Sequence, residues 1–308
     1  MTPGERPPVV ALLPAGELAL DLAPAVRAAG LEATSDPAAA DALVWCSWRP
    51  TGLAQALEAA PQSRWVQLSY AGVEHFLGLI DDSRTWTCAK DIYGMSVAEL
   101  ALGLLLAGVR GIDRYLRASS WRRLEQGTLR GATVLVFGAG GIGRSLTGML
   151  GPLGPRVLVA SRSGRPVAGA EALTAAEGRE AVASSDAVVL AVPLTEETKG
   201  LVDSDFLADM KPTAWLVNVA RGGVVVTDDL VRALEEHTIA GAALDVTDPE
   251  PLPDGHRLWQ LDNAIVTPHV ASSDELGAAD LAALVEENCR RFRTGRPLRG
   301  VVDPAAGY

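Results

Sequence analysis

At 308 residues the chain exceeds one typical domain and suits two, each large enough to bury its own core. Hydrophobic residues make up 48% and charged residues 21%, which excludes an intrinsically disordered chain, and a formal net charge of −11 argues against a general nucleic-acid binder. Cys46, Cys88 and Cys289 are far apart and odd in number, with neither metal-ligand spacing nor a disulfide framework, so a reducing, cytoplasmic setting and no metal are expected.

Met1 to Pro8 lacks a basic start followed by an apolar core, so no signal peptide is expected. Val9–Leu13 reads as a first strand, and a helix follows from about Glu17 to Ala29. Strands are then predicted at Ala42–Cys46, Trp65–Leu68 and Thr85–Cys88, with a helix at Leu53–Ala60 and a turn at Gly72. Strands alternating with helices predict a parallel sheet covered on both faces. This first unit carries no phosphate-binding glycine pattern of its own.

Ser96-Val97-Ala98-Glu99 reads as a capping box opening a long helix. Its apolar run, Val97 to Val109, is too short to span a bilayer, which takes roughly 20 residues. Because it is apolar nearly all round, it should be buried on more than one side, as either a domain core plus a partner subunit or a core alone would provide. A second βα series follows. Its strands are predicted at 133–137, 156–160, 187–191, 214–219, 242–245 and 264–267. Its helices fall near 143–150, 173–184, 204–210 and 228–237, the last with Thr227 as N-cap. A helix from about Leu276 to Phe292 closes the chain.

The first strand of this series runs into Gly138-Ala139-Gly140-Gly141-Ile142-Gly143, a Gly-x-Gly-x-x-Gly turn between strand and helix. A dinucleotide pyrophosphate needs this context. Gly138 permits the tight turn, Gly140 lets backbone approach the phosphates, and Gly143 lets helix pack on strand; Gly141 and Ile142 open the helix whose free N–H groups face the anion. NAD-binding versions end the second strand of the unit with an acid that bonds the ribose hydroxyls. Here the sequence is Ser161-Arg162-Ser163-Gly164-Arg165, with no acid from 161 to 164. Loss of the acid removes repulsion against a 2′-phosphate, and Arg162 with the hydroxyls of Ser161 and Ser163 can bind one, so NADP is expected, with NAD the alternative.

Four more segments stand at the carboxyl ends of predicted strands, where such folds bind ligands. They begin at Val192-Pro193 and reach Thr198; run from Asn218-Val219-Ala220-Arg221 to Gly223; from Asp245 to Glu250-Pro251; and over Thr267-Pro268-His269-Val270. Val192, Pro193, Thr198, Val219, Ala220, Arg221 and His269 are therefore candidates to line a cofactor. A hydride delivered by a nicotinamide to a carbonyl needs a proton for the carbonyl oxygen, and a cation beside it would help. Arg221 offers a planar, permanently charged fork, and His269 titrates near working pH. Glu250 would bond the other ring nitrogen and favour the protonated imidazole.

In these motifs and their order, from Ala71-Gly72-Val73 to His269, the chain resembles the D-isomer-specific 2-hydroxyacid dehydrogenases. The resemblance implies two doubly wound parallel-sheet domains of α/β class. A Rossmann-type nucleotide domain (97–273) would be inserted into a flavodoxin-like substrate domain (1–96 plus 274–308). It implies Arg221, Glu250 and His269 as the catalytic set, Asp245 as a contact to the nicotinamide carboxamide, and Ala71-Gly72-Val73 as the loop whose N–H groups bind the substrate carboxylate beside Arg221 and His269. It further implies a homodimer, which the apolar helix over 97–109 also leads one to expect, while the net charge and the short apolar run give the expectation of no nucleic acid and no membrane. The Ser-Arg-Ser string resembles that of NADP-using members, which makes glyoxylate or hydroxypyruvate the first expected substrate. Larger aryl or branched 2-oxo acids, reduced with NAD, are the alternative within the class. A nucleotide-sensing corepressor is the alternative outside it.

Overall fold

The computed structural model describes residues 6–18, 20–121, 123 and 126–307. Most of the stretch 1–8 read for a leader, and residue 19 of the helix expected over 17–29, lie outside the described residues. The chain divides into two compact units, Met1–Tyr93 with Ser273–Tyr308, and Gly94–Ser272.

In the first unit β1 (Val9–Leu13) leads to α1 (Ala23–Ala28), six residues later than the sequence pattern predicts. Pro24 explains the delay: it lacks an N–H and suits only a first helical turn, while the Asp21 carboxylate accepts the Ala23 N–H at 2.9 Å just before it. A three-residue edge strand, β2 (Glu32–Thr34), follows; it is too short to leave a periodic signal. Then come β3 (Ala42–Trp45), α2 (Leu53–Ala59), β4 (Trp65–Leu68) and β5 (Thr85–Thr87). The order β2-β1-β3-β4-β5, all parallel, is that of flavodoxin-like sheets. Alternate residues feed opposite faces: Val10, Val44 and Trp65 enter one apolar layer, Ala11, Leu43 and Val66 the other.

The second unit opens with α3 (Gly94–Val109) and α4 (Ile112–Leu116). Since α3 already begins at Gly94, Ser96 and Glu99 lie inside it and do not form the expected capping box. Val97, Ala98, Ala101, Leu104, Leu105 and Gly108 are buried within the unit, and a Cβ on Gly108 would overlap the Trp215 indole. The alternating series is β6 (Thr133–Phe137), α5 (Gly141–Leu150), β7 (Arg156–Ser161), β8 (Glu171–Thr174), α6 (Ala175–Ala181), β9 (Ala187–Leu190), α7 (Ser204–Asp209), β10 (Trp215–Asn218), α8 (Thr227–Glu235), β11 (Gly241–Leu244) and β12 (Ala264–Val266). The expected helix over 173–184 starts at 175, because Leu173 and Thr174 finish β8. Thr174 then caps α6 reciprocally with Glu177, the carboxylate accepting the Thr174 N–H at 2.7 Å. Thr227 is the first residue of α8 rather than its N-cap; its hydroxyl donates to the Asp248 carbonyl at 2.5 Å.

All seven strands are parallel, in the order β12-β11-β10-β9-β6-β7-β8. The chain leaves β6 in one direction to β7 and returns on the other side at β9. This reversal creates a crevice at the strands' carboxyl ends, where doubly wound folds hold ligands. The chain then returns to the first unit as α9 (Asp274–Thr294), which packs on α1 through Leu281, Leu284 and Val285. Cys46, Cys88 and Cys289 are buried free thiols, which burial pushes up to about 11, 11 and 12. Among the described residues no helix is long and apolar enough to cross a membrane.

Candidate active site

The glycine turn is forced by space. A Cβ on Gly138, whose φ is +118°, would overlap the Ala191 carbonyl, and one on Gly143 would overlap the Gly138 carbonyl. Gly140 is different. It is exposed, and a Cβ there would meet nothing within 4 Å, so it would occupy open space at the start of α5. That is the position where a pyrophosphate must approach the backbone N–H groups of Gly141, Ile142 and Gly143, so the residues present fit a dinucleotide. On the adjacent strand Ser161 ends β7. Its hydroxyl accepts the Arg165 N–H at 2.9 Å, which leaves the O–H free to donate to a ligand, and Arg162 and Ser163 are exposed beside it.

Val192 and Pro193 follow β9. Thr198 closes their loop, donating to the Pro193 carbonyl at 2.6 Å and accepting from the Thr195 N–H at 2.8 Å. Its hydroxyl is therefore occupied within the loop. Beyond β10, Val219 and Ala220 are buried, and Arg221 follows in extended backbone. Here the structure adds a residue that sequence reasoning left without a role. Asn218, 1% exposed, accepts the Ala220 N–H at 3.0 Å and donates to the Arg221 carbonyl at 3.0 Å, clamping the turn that presents Arg221. A Cβ on Gly222 would overlap the Thr247 carbonyl, so glycine is needed to seat this turn against the 245–250 loop.

Asp245 follows β11 and is 2% exposed. One carboxylate oxygen accepts the Thr267 hydroxyl at 2.6 Å and the Val270 N–H at 3.0 Å; the other accepts the Ala271 N–H at 3.1 Å. The Asp245 carbonyl also accepts the His269 N–H at 2.8 Å. Asp245 thus holds the loop after β12 on both sides of His269. His269 itself has φ +53°, a left-handed conformation uncommon for a side chain of its size, and this network fixes it there.

His269 Nδ1 lies 2.6 Å from Glu250 Oε1. The Glu250 hydrogen bond raises the imidazole above its ordinary range; partial burial opposes this, the Glu250 and Asp245 charges add to it, and the Arg221 charge subtracts. The same hydrogen bond holds the Glu250 carboxyl below its ordinary range, partial burial opposes, and the charges of His269 and Arg221 and the Thr247 N–H assist. Arg221, Glu250 and His269 therefore form one electrostatic group at the carboxyl edge of the seven-stranded sheet. Bonding at Nδ1 leaves Nε2 for a substrate.

Ala71-Gly72-Val73 belongs to the other unit, directly beyond β4. Val73 is buried and its carbonyl accepts the Phe76 N–H at 2.8 Å, while Ala71 is exposed and Gly72 partly so. Among the described residues no cluster of three or more His, Cys, Asp or Glu could hold a metal ion.

Residues 101–271 match the sequence model of the D-isomer specific 2-hydroxyacid dehydrogenase NAD binding domain. An uncharacterized protein of Corynebacterium melassecola is 42% identical over 254 residues, covering 80% of this chain and 84% of that one. The glyoxylate reductase of Pyrococcus furiosus is 37% identical over 224 residues, covering 68% of this chain and 66% of the reductase. Among solved structures, a D-isomer specific 2-hydroxyacid dehydrogenase of Xanthobacter autotrophicus Py2, in complex with NADPH and MES, superposes with a TM-score of 0.86 at 30% identity, covering 98% of this chain and 100% of that one.

Proposed function

Because the chain belongs to the D-isomer specific 2-hydroxyacid dehydrogenase family of nicotinamide-dependent oxidoreductases, we propose that it reduces a 2-oxo acid to the D-2-hydroxy acid with NADPH. Glyoxylate or hydroxypyruvate is the first substrate in this reading, in line with the glyoxylate reductase relative. The observation that carries it is the 2.6 Å pair between His269 and Glu250 within the field of Arg221. When bound, the nucleotide supplies a hydride to the carbonyl carbon. Arg221 binds the substrate carboxylate and polarises the carbonyl. His269, protonated at Nε2, gives its proton to the carbonyl oxygen as the hydride arrives, and Glu250 on Nδ1 fixes ring orientation and steadies the charge. By its resemblance to the family's carboxylate-binding loop, the turn at 71–73 is read as a source of N–H donors for a substrate carboxylate.

The cofactor preference rests on Ser161, Arg162 and Ser163 in place of an acid after β7, and the Xanthobacter structure with NADPH supports it. Unit boundaries at 94 and 273 correspond to a nucleotide domain inserted into a substrate domain in this reading. A homodimer is part of it, since Ile112, Leu116 and Trp121 are 45%, 82% and 104% exposed within one short segment beyond α3. Buried free thiols suit the cytoplasm.

Initial rates on a panel of 2-oxo acids, with NADPH and NADH side by side, test the proposal. Turnover favouring NADPH supports it. Turnover favouring NADH keeps the reaction and overturns the cofactor assignment. Cofactor binding without turnover of any 2-oxo acid overturns the reaction.

A further inference from the structure

A second cluster stands at the carboxyl edge of the five-stranded sheet. The loop after β3 is anchored from below: the Trp45 indole N–H donates to the Arg49 carbonyl at 2.8 Å, the Arg49 N–H to the Ser47 hydroxyl at 3.1 Å, and the Cys46 N–H to the Leu13 carbonyl at 2.5 Å. Trp45, Cys46 and Ser47 are buried, so Trp48 and Arg49 project from a fixed base. Trp48 is 54% exposed, which costs hydration that a covered indole would avoid. The Arg49 guanidinium carbon sits 4.7 Å from the Trp48 ring centroid. The His75 ring meets the same indole with centroids 6.4 Å apart and planes at 65°. His75 belongs to the segment after β4, which Val73 and Phe76 pin into the core.

Stacking on an indole holds a guanidinium flat and leaves its edge N–H donors pointing outward. Among the described residues no carboxylate lies within ion-pair distance of Arg49 and its guanidinium donates no hydrogen bond, although acidic residues outnumber basic ones 38 to 27. A guanidinium over an indole with no internal acceptor, and a histidine against the same indole, make a receptor for an oxyanion. It stands next to the 71–73 turn, assigned above to the carboxylate adjoining the reacting carbonyl. We infer that Trp48, Arg49 and His75 form a distal subsite that binds a second anionic group, carboxylate or phosphate, on the 2-oxo acid substrate. The inference rests on the reductase reading and revises its first substrate: 2-oxo acids carrying a second anionic group are preferred, and glyoxylate and hydroxypyruvate are poorer ones.

The test compares kcat/KM for 2-oxoglutarate and 3-phosphohydroxypyruvate with kcat/KM for 2-oxobutyrate and hydroxypyruvate, in wild type and in Arg49→Gln, Arg49→Lys and Trp48→Leu. The ratio of the substrate with a second anionic group to its monoanionic counterpart should exceed one in wild type and fall about 10- to 100-fold in Arg49→Gln, the loss of a charge-assisted pair. Arg49→Lys, which keeps charge but not the fork, should fall less, and so should Trp48→Leu. Whichever of 2-oxoglutarate and 3-phosphohydroxypyruvate loses more identifies the group bound. A ratio unmoved by Arg49→Gln, or a wild-type preference for monoanions, overturns the subsite. Calorimetric titration with glutarate and 2-phosphoglycolate separates this from failure of the reductase reading. If no 2-oxo acid is reduced, binding of either anion that Arg49→Gln abolishes still supports the subsite, and no binding to wild type overturns it.

Discussion

Replacing Asp245 with Asn distinguishes two roles for a residue that is nearly inaccessible. The carboxylate serves three donors: the Thr267 hydroxyl and Val270 N–H on one oxygen, and the Ala271 N–H on the other. In Asp245→Asn the amide oxygen can keep the first two. The amide nitrogen then faces the Ala271 N–H, donor against donor, and one buried N–H loses its acceptor. Such a loss costs about 1–3 kcal/mol. At roughly 2–4 °C per kcal/mol for a unit of this size, the midpoint of thermal unfolding should fall by about 2–12 °C. Asp245→Ala is a blunter choice, because three orphaned donors would consume a large part of a stability of about 5–15 kcal/mol. His269 lies inside the span that loosens, and a displacement of about 1 Å at a reacting group can cost about 100-fold in rate. The expected signature is therefore a lower melting temperature together with a kcat lowered 10- to 100-fold at saturating NADPH, with little change in NADPH affinity. Differential scanning calorimetry, steady-state kinetics and a fluorescence titration of NADPH measure the three. An unchanged melting temperature with NADPH affinity alone impaired would refute the loop-holding role and favour direct contact with the nicotinamide.

Other perturbations probe separate parts of the site. Glu250 raises the His269 pKa, so the imidazolium needed for reduction is present below that raised value and lost as pH rises through it; Glu250→Gln should move the alkaline limb of kcat/KM to lower pH, and a stationary limb would exclude the pairing as its cause. In the oxidation direction neutral His269 must accept the proton, so activity there should appear at lower pH in the same variant. Arg162→Ala should weaken NADPH about 10- to 100-fold more than NADH, and equal losses would count against a phosphate contact. Gly143→Ala would drive a methyl into the Gly138 carbonyl, so NADPH binding should weaken more than 10-fold by equilibrium titration; wild-type affinity would show that the turn can relax.

Much of the fold was legible because parallel strands covered on both faces must be apolar runs bounded by turns. Val134-Leu135-Val136 and Val188-Val189-Leu190 are buried along their full length and announced themselves as strands. The Arg221, Glu250 and His269 constellation was legible for a related reason: each residue stands beyond the carboxyl end of such a strand, where the sheet topology collects them. The errors cluster at element ends. Thr174 looked helical because Ala175-Ala176-Glu177 follows it, yet it ends β8, pairs there with Ser161 of β7, and turns the helix on with its side chain. Ser96 and Glu99 fit a capping box by spacing alone, but Gly94, pressed against the backbone of Gly141, had already begun α3.

The residues that support the site were harder to read than those that would do its chemistry. Asn218 sits at the end of a strand and could have been a solvated amide; only its burial, with donors and acceptors satisfied inside one turn, makes it a clamp on Arg221. Asp245 is separated by more than 20 residues from the N–H groups it accepts, so no local pattern contains both partners. Arg221, Glu250 and His269 each stand in a short local string, whereas their supports act across the fold: β10 and β11 run side by side, and β11 pairs with β12, before the chain can place Asn218, Asp245 and His269 at one edge. The His269–Glu250 pair is therefore a product of the sheet register. A one-residue slip of β12 against β11 would reverse its side chains and move the Val270 and Ala271 N–H groups away from Asp245, releasing His269 from its left-handed conformation before disturbing a single reacting atom.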